Sequence, residues 1–238
     1  MRTHLPLFLA LAALATPASA ATRNFGVTDF DRVRVDGPFK VSLATGVAPF
    51  ARASGSTAAL DRVAVEVQGR TLVVHSDRSS WGGYPGEETG PVEIAIGTHD
   101  LNTAWLNGAG SLKIDKVKGL TFDLSVQGAG AIGIGKADVD QLRVSMAGSG
   151  SATLAGRAGK MTAVVRGISS LDAAGLVAKD ATIGAEGPAT VKANVTNSAQ
   201  VDGSGVAAIS LTGAPACTTK LTGSASVSGC KPSAWGSR

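Results

Sequence analysis

The C-terminal half of the sequence repeats one pattern of apolar and polar positions about every 20 residues. In each copy, apolar and polar residues alternate up to a glycine corner. The corners at this near-constant spacing are Gly108, Gly128, Gly148, Gly167 and Gly187, and after one shorter step the pattern returns at Gly203 and Gly223. A period held this closely is typical of proteins that stack one structural unit on the next.

The copies, aligned on their corner glycines, place apolar residues in columns. Before the corners, Leu142 and Val144 alternate with Arg143 and Ser145, as on a strand with one buried face. The pattern therefore predicts two short strands per repeat, joined where glycine permits a positive φ, and stacked as six or seven rungs of a single-stranded parallel β-helix, or β-solenoid. The columns four and six residues after the corners are Leu112, Ile132, Ala152, Leu171, Val191, Ala207 and Val227, and Ile114, Ile134, Leu154, Ala173, Ala193 and Ile209.

Residues 21–100 alternate in the same way but without the period. Val33 and Val35, and later Ile94 and Ile96, are typical of half-buried strands. These strands are either wider opening rungs of the solenoid or a small sheet that caps it, and the pattern leaves both open. We therefore divide the rest of the chain into regular rungs over residues 101–230 and a tail over residues 231–238, with a long polar loop at residues 79–90 of the N-terminal region.

The composition supports an all-β fold with a narrow interior. Hydrophobic residues make up 44% of the chain, enough to form a core, whereas aromatic residues make up only 4%. The 31 glycines show no collagen triplet, which favours a turn-rich β fold over a helical one. The 22 basic and 18 acidic residues are interspersed, so the net charge of +4 indicates a solvated surface, and no nucleic-acid partner is expected.

Residues 1–20 have the features of a secretory signal peptide. A polar start with Arg2 is followed by an apolar run and a small-residue stretch, after which we predict cleavage behind Ala20. The run is too short for a membrane anchor, no cysteine follows it for acylation, and no other segment is apolar enough to span a bilayer. The mature protein is therefore expected in the periplasm, at the outer membrane or outside the cell.

Cys217 and Cys230, the only cysteines, lie close to each other in the sequence near the C-terminus. In an exported chain with no other cysteine or histidine near them, they predict a disulfide bond rather than a metal site. Closing the short loop between them stabilises the folded state by roughly 3 kcal/mol in the chain-entropy model.

Two N-terminal segments and the glycine corners together resemble a known family. The first segment, residues 30–43, contains Gly37, and the second, residues 60–74, contains Gly69. With the repeated Gly-Ala-Gly and Gly-Ser-Gly corners, they are similar to the head GIN domain family of putative auto-transporter adhesins over residues 30–230. The resemblance implies a right-handed parallel β-helix in an exported bacterial envelope protein, with no catalytic residues to transfer.

No motif in the sequence indicates catalysis or a cofactor. Gly128, Gly130 and Gly133 fit a dinucleotide-binding pattern, but a strand follows where that site needs a helix, and the match is one copy of the repeat. The common hydrolase and calcium-repeat signatures are absent. We therefore predict a protein that is not an enzyme and has no catalytic residue, cofactor or metal site.

A polysaccharide lyase or hydrolase built on a β-helix would need carboxylates clustered on adjacent rungs. The feature nearest to a catalytic pair is His99 beside Asp100, which we interpret as a solvated turn. The predicted columns instead place opposite charges together, as an ordinary surface does. These columns are Asp123 with Arg143, and Asp140 with Lys160 and Lys179.

Binding residues are expected among the exposed aromatic side chains. Trp81 and Tyr84 in the polar loop, and Trp105 at the first regular rung, are suited to stack on sugar rings or anchor a partner. The alternative is an aromatic cluster that caps the first rung. A basic patch on neighbouring rungs is either a binding site for anionic envelope polymers or a set of solvated lysines. Its members are Lys113, Lys116, Lys118 and Lys136.

Together these features predict an exported, non-enzymatic β-solenoid that acts as an adhesin-like or envelope-associated binding scaffold, and the resemblance carries the functional part. The expected partner is an envelope polysaccharide or a surface protein, and the faces and ends of the solenoid are the surfaces through which an oligomer could form. Two alternatives stay open. One is a secreted carbohydrate-active enzyme, a lyase or hydrolase. The other is a self-associating structural envelope protein whose strand edges pair with another chain.

Overall fold

The computed structural model describes residues 21–77 and 91–231. In these residues sixteen strands form a single sheet wound into a solenoid, and one short helix packs at its N-terminal end. The N-terminal elements are β1 (Ala21–Phe25), β2 (Arg32–Asp36), β3 (Lys40–Thr45), β4 (Phe50–Gly55), α1 (Thr57–Leu60), β5 (Val63–Gln68), β6 (Thr71–Ser76) and β7 (Glu93–Thr98). The remaining strands are β8 (Thr103–Asn107), β9 (Ser111–Gly128), β10 (Ala131–Gly148), β11 (Ser151–Gly167), β12 (Ser170–Glu186), β13 (Thr190–Ser204), β14 (Ala208–Thr212), β15 (Ala216–Leu221) and β16 (Ser226–Ser228).

Each central rung is one long strand rather than the two short strands predicted. Strands β9 to β13 are 15 to 18 residues long. β9 and β10 pair in parallel from Ser111 with Ala131 to Gly128 with Gly148. Because the backbone stays extended and paired around the bend in the middle of the rung, only the glycine corner interrupts the strand. The predicted parallel β-solenoid, with one rung for each repeat of the sequence, is confirmed.

Glycines stack on one another at the corner of each rung. Gly148 has a φ of +113°, and a Cβ built on it would lie 2.7 Å from the carbonyl oxygen of Gly128 on the preceding rung. Glycine is needed both for the left-handed backbone and for this close approach. The column with positive φ consists of Gly37, Gly108, Gly128, Gly148, Gly167, Gly187, Gly205 and Gly223.

The corner predicted at Gly203 is wrong by two residues, whereas the corner predicted at Gly223 is observed. The corner glycine is Gly205, with a φ of +74°, whereas Gly203 is a buried position inside β13. The sequence Gly203-Ser204-Gly205 contains two glycines. A step of 20 residues back from Gly223 selected Gly203, which is not the corner. The last two steps, from Gly187 to Gly205 and on to Gly223, are therefore equal in length and slightly shorter than the others. As a result, Ile209 rather than Ala207 continues the apolar column after Val191.

Outward charges face opposite charges on the neighbouring rung. Arg143 Nη1 lies 3.4 Å from Asp123 Oδ1, which confirms the first predicted charge column. The second predicted column is wrong by one residue at two positions, because the register of β11 shifts at the bend both against β10 and against β12. The observed column consists of Gln141, Lys160, Asp180 and Ser198, instead of Asp140, Lys160 and Lys179.

The N-terminal region contributes two further rungs. β2 and β3 flank the corner at Gly37 and pair in parallel with β8 and β9. β6 and β7 form the next rung outward and pair in parallel with β2 and β3. The chain therefore builds the second rung first, then the outermost one, and passes over β2 to reach β8. Along this passage the Asn102 N–H donates to the Asp31 carbonyl at 2.8 Å.

Antiparallel strands and the helix close the N-terminal end. β4 pairs with β7, β1 with β4, and β5 with β6, all antiparallel. The helix α1 lies against β1 and β4 and buries Ala59 and Leu60. Arg23 Nη1 donates to the Leu60 carbonyl, and Arg23 Nη2 lies 2.9 Å from Asp61 Oδ1. The region thus contains both opening rungs and a cap, the two alternatives that the sequence left open.

One continuous hydrophobic core fills the solenoid. The disulfide between Cys217 and Cys230 joins β15 to the segment after β16, with their Cα atoms 5.7 Å apart, and so closes the last rung. Small residues replace large ones along one inward column of the core. In chain order this column is Phe122, Leu142, Met161, Ala181, Ala199 and Cys217.

Candidate functional site

Trp105 lies on an outward face of the N-terminal rungs. It is in the middle of β8, where Ala104 and Leu106 on either side are fully buried, so the alternation of the strand turns the indole outward. In register, Trp105 stands between Arg34 of β2 and Ser125 of β9. The side chain is half-buried and leaves part of its ring surface available for contact.

A column of polar residues runs beside Trp105. Asp36, Asn107 and Gln127 precede three corner glycines and lie in register with one another. Arg34 Nε lies 2.8 Å from Asp36 Oδ2, and Asn107 Nδ2 donates to Asp36 Oδ1. Because both neighbours bind the same carboxylate, Asp36 fixes the guanidinium and the amide next to the indole.

These side chains line an open groove with a volume of about 600 Å³, which we call the Trp105 groove. This volume is within the range of small-molecule sites. Strands β2, β5, β6, β8 and β9 all contribute, so the groove depends on the stacking of the N-terminal rungs. Its lining residues are Arg34, Asp36, Gln68, Thr71, Val73, Trp105, Asn107 and Gln127.

The Trp105 groove combines an aromatic plane with fixed donors and acceptors. The indole offers an apolar surface for stacking, and the guanidinium, carboxylate and amide groups offer hydrogen bonds at its edge. A sugar ring has the complementary features, with an apolar C–H face and a rim of hydroxyl groups. Asp36 is the one carboxylate among the lining residues that the structure describes, whereas acid–base cleavage of a glycosidic bond uses two. The arrangement is suited to binding.

The other predicted site residues are not part of this groove. Trp81 and Tyr84 lie outside the described residues. His99 is exposed after β7, and its Nδ1 lies 3.1 Å from Asp29 Oδ1. His99 therefore pairs with Asp29 rather than with its neighbour Asp100, because the turn after β7 directs the ring toward the segment before β2.

Three of the four predicted lysines meet at a second groove, of about 400 Å³, at the bend of β9 and β10. Lys116, Lys118 and Lys136 line this lysine groove, whereas Lys113 is not among its lining residues. Asp138 also lines it, and Arg157 Nε donates to the Asp138 carboxylate at 2.7 Å. The Arg157 hydrogen bond is the main reason that the pKa of Asp138 lies below its ordinary value, and Lys118 and Lys136 lower it further.

Sequence reasoning identified Trp105 but missed Arg34, Asp36 and Asn107. A usable signal was present, because Asp36 and Asn107 each immediately precede a corner glycine and therefore share a column. The column could not be extended to Asp36 from the sequence, since the N-terminal region lacks the period that would have aligned Gly37 with Gly108.

Many acidic side chains of the described surface form ion pairs with basic ones. Lys40, for example, hydrogen-bonds Glu93 and thereby lowers the pKa of that carboxyl group. In residues 21–77 and 91–231, no three His, Cys, Asp or Glu side chains are grouped closely enough to hold a metal ion. Within the same ranges, no helix combines the length and apolar character that crossing a membrane requires.

A family model described as "Putative auto-transporter adhesin, head GIN domain" matches residues 29–215 of the chain. No curated protein matches the chain significantly.

Several solved structures share the fold. A putative adhesin from Bacteroides fragilis superposes with a TM-score of 0.75 at 19% identity, over 89% of this chain and 96% of that chain. A putative adhesin from Parabacteroides merdae gives 0.69 at 16% identity, over 88% and 95%. A putative lipid binding protein from Parabacteroides distasonis gives 0.68 at 20% identity, over 88% and 96%. At these identities the similarity establishes the fold.

Proposed function

The chain belongs to the "putative auto-transporter adhesin, head GIN domain" family, and from this premise we propose that it is an exported, non-enzymatic binding scaffold of the bacterial envelope. Its ligand in this proposal is a neutral sugar unit of an envelope polysaccharide or of a glycosylated surface protein. The Trp105 groove is the binding site.

The observation that carries this proposal is the fixed arrangement around Trp105. Asp36 holds Arg34 and Asn107 beside the indole before any ligand arrives, so little side-chain entropy is lost on binding. The groove lies on a broad face of stacked strands, and a rigid scaffold of this kind keeps its side chains in place. A polysaccharide chain can extend along this face from one rung to the next.

The polar lining of the groove favours a sugar over a lipid. One of the structurally similar proteins is named a putative lipid binding protein. An acyl chain needs a mainly apolar channel, whereas only Val73 and Trp105 of the groove's eight lining residues are apolar.

The single carboxylate of the groove supports binding without catalysis. Asp36 is engaged by both Arg34 and Asn107. A general acid in glycoside hydrolysis needs a raised pKa and a second carboxylate partner. In the lysine groove, the pKa of Asp138 is lowered instead, which disfavours the protonated form needed to donate a proton at neutral pH.

Export is the second part of the proposal. The predicted signal peptide of residues 1–20 and the disulfide between Cys217 and Cys230 support a location outside the cytoplasm. We place the mature protein in the periplasm, at the outer membrane or on the cell surface. Mass spectrometry of the protein from an envelope fraction tests this proposal, because the expected N-terminus is Ala21.

The binding proposal is tested with residues 21–238 on an array of glycans and envelope polymers, followed by titration calorimetry of each hit. Trp105→Ala is expected to weaken binding roughly tenfold or more, as loss of an aromatic anchor does. Trp105→Phe keeps an aromatic plane and should retain most of the affinity. Thr182→Ala lies further along the same outward face and serves as the matched control.

Three results would overturn the binding proposal or parts of it. Equal affinity of Trp105→Ala and the parent protein would remove the Trp105 groove as the site, and Trp81→Ala and Tyr84→Ala would then be tested for the loop. No hit on the array would remove the sugar as ligand. Release of a shortened product from a bound glycan over several hours would replace the scaffold with the carbohydrate-active enzyme.

A further inference from the structure

On the described strands, charged residues that face each other are opposite in sign, with one exception. The registers of the described strands contain nine such charged pairs, and eight combine an acid with a base, such as Lys160 with Asp180. The exception is Lys116 of β9 beside Lys136 of β10. Like charges directly opposite each other destabilise a sheet. Among the described strands, the pairing of opposite charges therefore fails only at Lys116 and Lys136, and both residues line the lysine groove.

None of the three lysines that line this groove forms an ion pair within the described residues. In the part of the chain that the structure describes, no carboxylate oxygen lies within 4.0 Å of the ammonium nitrogen of Lys116, Lys118 or Lys136. Asp138 is in register with Lys118 but forms its ion pair with Arg157, with Nε and Nη2 donating at 2.7 and 3.0 Å. The positive charges of the groove are thus only partly offset by the described residues.

The shape of the lysine groove adds an apolar floor to these charges. The buried side chains of Leu101 and Val117 lie at its base, and His99 stands at its rim. Lys116 lies over Gly46, where a Cβ built on the glycine would be 3.5 Å from Lys116 Nζ. The groove therefore has room for a small carbon skeleton beside the three ammonium groups.

The net positive charge of the lysine groove indicates the charge of the ligand that it suits. Asp138 is compensated by Arg157, and Asp100 offsets one lysine, which leaves about two positive charges. A phosphomonoester carries about −1.5 to −2 charges at neutral pH, whereas a sugar carboxylate carries one. Lysine is a common ligand of phosphate and acts as a point charge that tolerates varied geometry.

We propose that the lysine groove binds a phosphomonoester carried on a sugar-sized group, with Lys116, Lys118 and Lys136 around the phosphate and Leu101 and Val117 beneath the carbon skeleton. The phosphate relieves the repulsion between Lys116 and Lys136. This site is separate from the Trp105 groove and does not depend on the function proposed for that groove.

The test uses glucose 6-phosphate, glucose and inorganic phosphate with residues 21–238, in calorimetry at fixed ionic strength. Glucose 6-phosphate is expected to bind most tightly, and glucose not at all. The double variant Lys116→Gln/Lys136→Gln is expected to weaken binding roughly tenfold or more, the loss expected from one charged hydrogen bond. Lys113→Gln lies on the same strand outside the groove and changes the same kind of charge, so it should bind as the parent does.

A second measurement separates a site from a general effect of charge. Without ligand, Lys136→Gln is expected to raise the unfolding temperature relative to Lys113→Gln, because it removes the like-charge contact. Trp105→Ala should leave phosphate binding unchanged, which keeps the result independent of the Trp105 groove.

The source of the phosphate is distinguished with phosphatidylcholine vesicles that carry phosphatidic acid, whose headgroup is a phosphomonoester. Binding of the soluble sugar phosphate alone supports a free ligand, and binding of the vesicles, lost in the double variant, supports a lipid headgroup. Absence of saturable binding to both probes, or equal affinity in the double variant and in Lys113→Gln, overturns the proposal.

Discussion

At Gly148, both the backbone conformation and the neighbouring rung exclude a side chain. Its φ of +113° is strained for any residue with a Cβ, and the carbonyl oxygen of Gly128 occupies the space that a methyl group would need. Gly133, in the strand that ends at Gly148, differs in both respects. Its φ is not in the left-handed range, and a Cβ there would meet no atom within 4 Å.

Gly148→Ala is therefore expected to lower the free energy of unfolding by roughly 2 kcal/mol or more, from backbone strain and the clash together. Gly133→Ala is the matched control and should change it by no more than about 0.5 kcal/mol. Urea unfolding followed by circular dichroism measures both. Similar losses in the two variants would contradict the account of the glycine column.

Some site residues could be predicted from their residue type or from the period, whereas others could be recognised only from the strand register. Trp105 could be selected because aromatic residues are rare and it stands beside the first corner glycine. Arg34 and Asp36 are ordinary surface residues in the sequence, and only their register with Trp105 and Asn107 gives them a shared role. Lys116 and Lys136 were found because the period placed them on neighbouring rungs.

At the scale of the rung, the period predicted the stacking but not the bend. The bend carries no constant glycine, and alternation continues through it, so the sequence does not show that the strand remains unbroken. Neighbouring rungs differ in length at the bend. Ile134 of β10 pairs with Leu154 of β11, but Ala137 pairs with Gly156, so β11 has one residue fewer there. Nothing in the sequence pattern marks this difference. The charge column through Lys160 and the corner at Gly205 were misplaced for this reason.

We expect the stability of the last rung to depend more on its disulfide than on its core. β15 and β16 are largely exposed, and only small or half-buried side chains of this rung reach the hydrophobic core. Cys217→Ser/Cys230→Ser is expected to lower the free energy of local unfolding of this rung by roughly 3 kcal/mol through loss of the cross-link. Amide hydrogen exchange should accelerate in β15 and β16 and stay unchanged in β9 and β10. Uniform acceleration along the chain would show that the bond supports the whole solenoid.

At the scale of the molecule, the two ends of the solenoid differ. The N-terminal end is closed by antiparallel strands and α1. At the C-terminal end, β15 and β16 each have one partner strand among the described residues, so one edge of each is open. β16 has three residues and β15 carries Lys220, and short or charged edge strands resist pairing with another chain.

We therefore expect residues 21–238 to be monomeric at micromolar concentration. Sedimentation velocity over a hundredfold range of concentration measures this, and a constant sedimentation coefficient is the expected result. Growth of the particle with concentration, abolished by Thr219→Pro in β15, would instead favour the self-associating structural protein.

The order of the N-terminal rungs could not be predicted from the sequence. The alternation showed strands but no period, and the pairing of β2 with both β6 and β8 joins segments far apart in the chain. A pattern of neighbouring repeats assumes that each rung follows the one before it. Here β2 and β3, which form the second rung, precede β6 and β7, which form the outermost rung. The assumption therefore fails in the N-terminal region.

Because β2 lies between β6 and β8, the N-terminal end is expected to resist a pulling force. A force applied at the N-terminus first peels β1 from β4, and then loads β2, which is hydrogen-bonded along both edges. Two parallel ladders sheared along their length must break together, whereas an edge strand unzips one bond at a time. At the other end, the bond between Cys217 and Cys230 carries tension past β16 directly into β15. Under such a force, two parallel ladders would have to break at the N-terminal end, and the disulfide bond would bypass β16 at the C-terminal end.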